Sequence, residues 1–148
     1  MEKQSVHQHC QRLVHQRIAD AEQAIREAQR AANEETKSSA GDKYETGRAM
    51  MHLEQEKLVS QRLAAQQLLK VLHQINPTRH STQVDLGSLV KTGRGWFYVA
   101  VGLGQIQVDG ELCFAISPAA PLGKALWGRQ AGEETVLNGQ PIRIIAVG

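Results

Sequence analysis

The sequence predicts an α+β fold: an N-terminal antiparallel coiled-coil helical hairpin, followed by a small β-rich domain with one short helix. Three observations carry this. Gly and Pro are segregated, since residues 1–40 contain neither while 11 of the 13 Gly and all four Pro lie at or beyond Pro77. Apolar positions recur every three to four residues in the first half and alternate in the second. Only 4% of the 148 residues are aromatic, too few for one thick core through the whole chain. The expected division is a hairpin over 1–76, with an acidic tip near 33–48, and a second domain over 77–148.

The first helix is read from Val14, Ile18, Ala21, Ile25, Ala28 and Ala32. Steps of four and three make these the seam of a helix packed on one partner. Val6, Cys10 and Leu13 continue the seam upstream with a one-residue slip. A second seam runs through Met51, Leu58, Ala65 and Leu72, joined by Leu68 and Ile75, with Gln61 as the polar intrusion. In an antiparallel pair, facing residues have numbers of constant sum, which sets Ile25 against Leu53, Leu13 against Ala65, Cys10 against Leu68 and Val6 against Leu72. The apex then falls near Ser39, within the turn-like stretch from Thr36 to Gly41. At 1.5 Å per residue, arms of about 30 residues reach roughly 45 Å, whereas a domain of about 70 residues is roughly 28 Å across. The expectation is a finger that the second domain is too small to cover.

Asn76-Pro77 ends the second helix, because Pro lacks the donor and disfavours helical geometry before it. Trp96–Leu103 reads as a strand. Gln105–Val108 and Glu111–Ile116 read as a hairpin about Asp109-Gly110, and Thr135–Leu137 and Gln140–Val147 as another about Asn138-Gly139, with Pro141 near an edge. The short helix begins near Pro121, suited to a first turn, and stops at Gly128.

Charge excludes several function classes. The hairpin half has 11 Lys and Arg against 10 Asp and Glu, and the remainder 6 against 5. Without a single-sign excess, independent DNA binding and attachment to an anionic membrane are not expected. Two cysteines, Cys10 and Cys113, are too few for a disulfide framework or a structural zinc site. The longest apolar run, Trp96–Leu103, is far shorter than the ~20 residues of a spanning helix, and the polar N-terminus does not read as a leader. A reduced, cytoplasmic protein is expected.

Nucleotide-binding glycine fingerprints and hydrolytic triads are absent from the sequence. His7, His9, Cys10 and His15 invite a metal reading, but Cys10 belongs to the seam and two ligands on one helix face do not close a site. These histidines are expected on an exposed polar helix. The apex differs, because Glu34, Glu35, Asp42 and Glu45 gather there with Tyr44, the first half's one aromatic residue. Asp42 and Glu45, three apart, share a helix face with β-carbons about 5–6 Å apart, close enough to hold one Mg²⁺ with its waters. The same Asp-x-x-Glu spacing forms a capping box, and on spacing alone the cap is the commoner use of such a pair.

A coiled-coil finger with acids at its tip, followed by a small β-rich domain, resembles the GreA/GreB family of bacterial transcript cleavage factors. Gly41-Asp42-Lys43-Tyr44-Glu45 matches the family's Gly-Asp-x-x-Glu. Ser117-Pro118, followed by Leu122-Gly123-Lys124-Ala125-Leu126-Trp127-Gly128-Arg129 and Gly132-Glu133, is similar to the family's Ser-Pro…Leu-Gly-Lys-Ala-Leu-x-Gly-Lys-x-x-Gly-Asp signature.

The resemblance implies an FKBP-like C-terminal domain docking at the RNA polymerase secondary channel, with the finger inside it. The partners would be RNA polymerase and, through it, the RNA 3′ end. Asp42 and Glu45 would be the functional acids, with Asp42 a direct ligand of an Mg²⁺ belonging to the polymerase and Glu45 orienting a water. Tyr44, Glu34, Glu35 and Arg48 would support the tip, and Pro121, Leu122, Gly123 and Lys124 would contact the partner. The chain would hold no cofactor of its own and would not be an enzyme, but would stimulate the polymerase's endonuclease. After the acids this chain continues Thr46-Gly47-Arg48-Ala49 where the family has Asn-Ala-Glu-Tyr, which leaves a non-cleaving channel regulator as an alternative. A coiled-coil assembly module, in which two hairpins form a four-helix bundle, is the reading from a different class.

Overall fold

The computed structural model describes residues 1–38 and 43–148, with the side chains of 35–38 and 43–45 outside the description. Its elements are α1 (Lys3–Ser38), α2 (Lys43–His73), β1 (Leu89–Thr92), β2 (Gly95–Val99), β3 (Gly104–Val108), β4 (Glu111–Ile116), α3 (Pro121–Leu126), β5 (Glu134–Leu137) and β6 (Gln140–Val147). Two helices followed by a mixed sheet and a short helix make this an α+β chain with a helical hairpin. Contacts divide it into a hairpin unit, Leu13–Leu69, and a sheet unit, Met1–Arg12 together with Lys70–Gly148.

Within the hairpin unit, α1 has no Gly or Pro to interrupt it, and α2 has Gly47 as its fifth residue, a position that costs about 1 kcal/mol relative to Ala. Val14, Ala21 and Ala65 are buried, and Ile18, Ile25, Ala28, Leu58 and Leu68 are half-buried along the same seam. Small residues leave room there: Arg17, Asp20, Ala21 and Ala24 with Leu58, Gln61, Ala64, Ala65 and Leu68 line a groove of about 400 Å³. On the outer surface, Gln16 donates to Asp20 at 2.8 Å and Gln23 to Glu27 at 2.9 Å, supporting the helix across one turn. One sequence pairing fails. Leu53 is 64% exposed rather than packed on Ile25, because it lies two residues, roughly 200° of helix, beyond the seam residue Met51. Leu13 is only half-buried, and its neighbour Val14 takes the interior position.

In the sheet unit α2 stops at His73, slightly before Pro77. The Asn76 side chain then accepts from the Thr78 amide at 3.0 Å and hydroxyl at 2.6 Å, closing the turn. The sheet order is β3-β4-β2-β1-β6-β5, antiparallel except for the parallel pair β2 and β4. That pair is parallel because β3 lies outside β4: the chain leaves β2, passes the end of β4, enters β3 and returns. Residues 100–103 make this passage, so the predicted strand Trp96–Leu103 ends at Val99. Ala100 and Val101 are apolar because they are buried, at 2% and 3% exposure, and not because they are extended. Strand β1 was not anticipated. It pairs with β2 through a two-residue turn, Gly93-Arg94, between Thr92 and Gly95.

Both hairpin turns have the backbone their sequences demand, with φ of 52° and 81° at Asp109-Gly110 and 52° and 76° at Asn138-Gly139. Pro141 pairs with Val136 of β5 beyond the stretch of β6 that β1 reaches, so its missing donor breaks no ladder to β1. Successive strand residues face opposite sides. Val90, Phe97, Val99, Ile142 and Ile144 join Val84 and Leu126 of α3 in one core, with Phe97 stacked on Phe114 at 5.5 Å. The other face carries Tyr98, Cys113 and Ala115, all at most 1% exposed.

Candidate functional site

The tip acids fall where α1 ends and α2 begins, with residues 39–42 between them. Asp42 lies outside the described residues, as does Ser39. Glu35 belongs to the last turn of α1, and Tyr44 and Glu45 to the first turn of α2, but their side chains lie outside the description. Glu34 and Arg48 are exposed. Among the described residues no group of three or more His, Cys, Asp or Glu is placed to hold a metal ion. No helix among them is long and apolar enough to cross a membrane.

The segment 117–133 is fully described, and its sequence is explained by packing. Ser117 turns the chain: its hydroxyl accepts from the Ala119 amide at 3.2 Å and its carbonyl from the Ala120 amide at 3.1 Å. Pro121 then opens α3 without an amide to leave unpaired. Gly123 is buried against this turn, since a β-carbon there would lie 2.1 Å from the Ser117 carbonyl oxygen and 3.0 Å from Pro118 backbone atoms. Leu126 is fully buried in the core and Leu122 packs on its edge. At the helix end Gly128, with φ of 78°, donates to the Val84 carbonyl at 2.8 Å, and Val84 donates back to Arg129 at 2.9 Å. Of the four predicted contact residues, Leu122 is half-buried and Gly123 buried, while Pro121 and Lys124 are exposed. Trp127, at the end of the same helix, is 47% exposed.

A third cluster lies beneath the sheet's other face. His7, on the first turns of α1, is 3% exposed, contrary to its expected place on an exposed helix surface. Its Nδ1 lies 2.7 Å from the hydroxyl of Tyr98 on β2, with the two rings edge-on. Burial, His73 and Lys3 all lower the His7 pKa. Cys10 and Cys113 are free and buried. Burial, then the proximity of Cys113, pushes the Cys10 thiol up to about 12, and burial pushes Cys113 up to about 11. These thiols are poor nucleophiles. A signal for His7 was present: steps of seven back from Ala21 give Val14 and then His7, so the seam carries a histidine at its N-terminal end.

No family model matches the chain, and no curated protein matches it. Solved structures similar to it include two GreA-related proteins. One, described as the structure of the transcription factor Gfh1, is 20% identical over 93% of this chain and 92% of that one, with a TM-score of 0.38. The other, GreA factor homolog 1 of Thermus thermophilus, is 18% identical over 93% of this chain and 94% of that one, with a TM-score of 0.35. At these values the functional reading rests on the chain's own residues.

Proposed function

We propose that this chain is a transcription factor that binds RNA polymerase and stimulates the polymerase's Mg²⁺-dependent cleavage of backtracked RNA. The carrying observation is the Gly41-Asp42-Lys43-Tyr44-Glu45 motif at the junction of two helices of 36 and 31 residues. Long helices with a single narrow seam suit insertion into a channel, and near-neutral charge suits docking to protein in preference to bare nucleic acid. Asp42 and Glu45 would contribute carboxylate oxygens, the donor type that Mg²⁺ prefers. The ion would belong to the polymerase and would supply charge neutralisation and an activated water. Glu34, Glu35, Tyr44 and Arg48 would shape the junction, and the α3 end of the sheet unit would present Pro121 and Lys124 to the partner.

Stalled, backtracked polymerase complexes incubated with the protein and Mg²⁺ test this reading. Wild-type protein should shorten the RNA faster than polymerase alone. Replacing both acids, Asp42→Ala with Glu45→Ala, should lower that stimulation by about a hundredfold or more, the scale of losing a preorganised electrostatic contact at a reacting centre. Capture of polymerase should persist. Unstimulated cleavage with wild-type protein bound would remove the cleavage claim.

A second reading, a channel regulator without cleavage, is favoured by Thr46-Gly47-Arg48, which places a helix-weakening glycine in the second turn of α2. Competition with another channel ligand, without release of RNA fragments, would select it.

A further inference from the structure

The His7–Tyr98 pair has no role in the proposed tip chemistry, yet it is a buried polar contact between α1 and β2. Around it are Lys3 and Cys10 on α1, His73 on α2, Tyr98 on β2 and Cys113 on β4. Arg79 and Asp85 act through Lys3, whose ammonium donates to the Arg79 carbonyl at 2.6 Å. The two side chains whose charge acts on His7 are both basic, Lys3 and His73. Asp85, the carboxylate that acts on Lys3, is engaged by Arg79 at 2.7 Å and by the Ser81 and Ser88 hydroxyls.

Protonation therefore brings a charge into a buried site that already feels the Lys3 ammonium. It also fixes the direction of the hydrogen bond. Neutral His7 can accept from the Tyr98 hydroxyl at Nδ1, whereas the imidazolium can only donate there, so the buried hydroxyl proton of Tyr98 has to find another acceptor. Both effects oppose packing of the first turns of α1 on the sheet. The residues they hold in place include Val6 and Cys10, each fully buried.

We propose that His7 and Tyr98 form a one-proton latch: protonating His7 loosens the first turns of α1 from β2 and opens the two buried thiols, Cys10 and Cys113, to solvent, while the helices and the sheet remain formed. The sign follows from linkage. A histidine whose folded pKa is depressed is neutral in the packed state and takes up a proton in the open one. The packed state is therefore favoured above the ordinary value near 6.5 and loses ground as pH falls below it. One proton limits the effect to a tenfold rise in the open population per pH unit, down to the folded-state value. This latch is independent of the cleavage reading, since no tip residue enters it.

The two thiols report the opening directly. The full chain is treated with 4,4′-dithiodipyridine between about pH 5 and pH 7.5, the range in which histidine titrates. Rates are normalised to free cysteine at each pH, and far-UV circular dichroism is followed alongside. Labelling is expected to accelerate by up to tenfold per pH unit on acidification with the helical signal unchanged. His7→Gln, which keeps a hydrogen-bonding side chain but cannot titrate, should flatten the profile. His73→Gln, which removes the neighbouring imidazole that lowers the His7 pKa, should keep the onset and the slope but end the rise at a higher pH, with a smaller total acceleration. Identical profiles for wild type and His7→Gln would overturn the latch, as would loss of the helical signal in step with labelling or a directly titrated His7 pKa at or above about 6.5. Should His7→Gln fail to fold, the wild-type slope, the His73→Gln shift and the His7 titration still decide the matter.

Discussion

Replacing Gly123 by Ala is expected to damage the sheet unit far more than a single methyl suggests. The new β-carbon would lie 2.1 Å from the Ser117 carbonyl oxygen and 3.0 Å from the Cα and carbonyl carbon of Pro118. All three are backbone atoms, so no side-chain rotation relieves the contact, and either α3 or the Ser117-Pro118 turn has to move by about 1 Å, overpacking of a kind that costs about 1–3 kcal/mol. The turn is tied by the Ala120 amide to Ser117, and α3 by the Trp127 amide to Gly123 and the Gly128 amide to Val84, at 3.1, 3.0 and 2.8 Å. Losing one of these adds about 1 kcal/mol, for a total near 3 kcal/mol, and a thermal midpoint lower by on the order of 15 °C for a unit of this size. Gly128→Ala is the control. Nothing lies within 4 Å of its added β-carbon, so it bears only the cost of a φ of 78°, about 1–2 kcal/mol. Tryptophan fluorescence during denaturant unfolding reads both, since Trp96 lies in β2 and Trp127 at the end of α3. Gly123→Ala no more destabilising than Gly128→Ala would refute the steric account. The exposed Lys124 provides a further contrast: Lys124→Ala should change stability by less than about 0.5 kcal/mol, so reduced polymerase capture in that variant would report a contact and not a displaced helix.

Leu126→Ala should lower the unfolding free energy of the sheet unit by about 2–5 kcal/mol, because Leu126 is fully buried among Val84, Val90, Phe97 and Ile144; a loss under about 1 kcal/mol in urea titration would place that core elsewhere. The thiols predict alkaline loss of stability. Each is held protonated in the folded chain, Cys113 up to about 11 and Cys10 up to about 12, while the unfolded chain ionises near 9.0. Stability is therefore complete below pH 9 and falls above it, by about 1.4 kcal/mol per pH unit for each thiol. Cys113→Ala should remove one thiol's share of that slope, measured by unfolding at intervals above pH 9.

Much of the fold was legible because its signals are local. A glycine-free, proline-free stretch with a seam every three to four residues has few alternatives to a long helix, and Asp109-Gly110 and Asn138-Gly139 specify their turns through the backbone angles they tolerate. The limits of α3 were legible for the same reason, from Pro121 and Gly128. Residues 100–103 were misread because a short apolar run has no way to distinguish an extended strand from a buried passage between strands. β1 was missed because four residues carry too little periodicity to stand out. At the candidate site, what the sequence offers is the spacing of Asp42 and Glu45 and a family-like motif, and the cleavage assay tests their role.

The sequence by itself determined the two kinds of structure and their order, since periodicity and turn chemistry act within a few residues of their source. It also determined that one long helix gives way to a second around residue 39, and α1 ends at Ser38 and α2 begins at Lys43. Only the tertiary structure decided what residues far apart in the chain do to one another. Gly123 is required because the Ser117 carbonyl approaches it, Leu126 because five strand residues and Val84 surround it, and His7 is interior because Tyr98, 91 residues away, meets its ring. Burial is a property of neighbours, and those neighbours exist only once the sheet has formed.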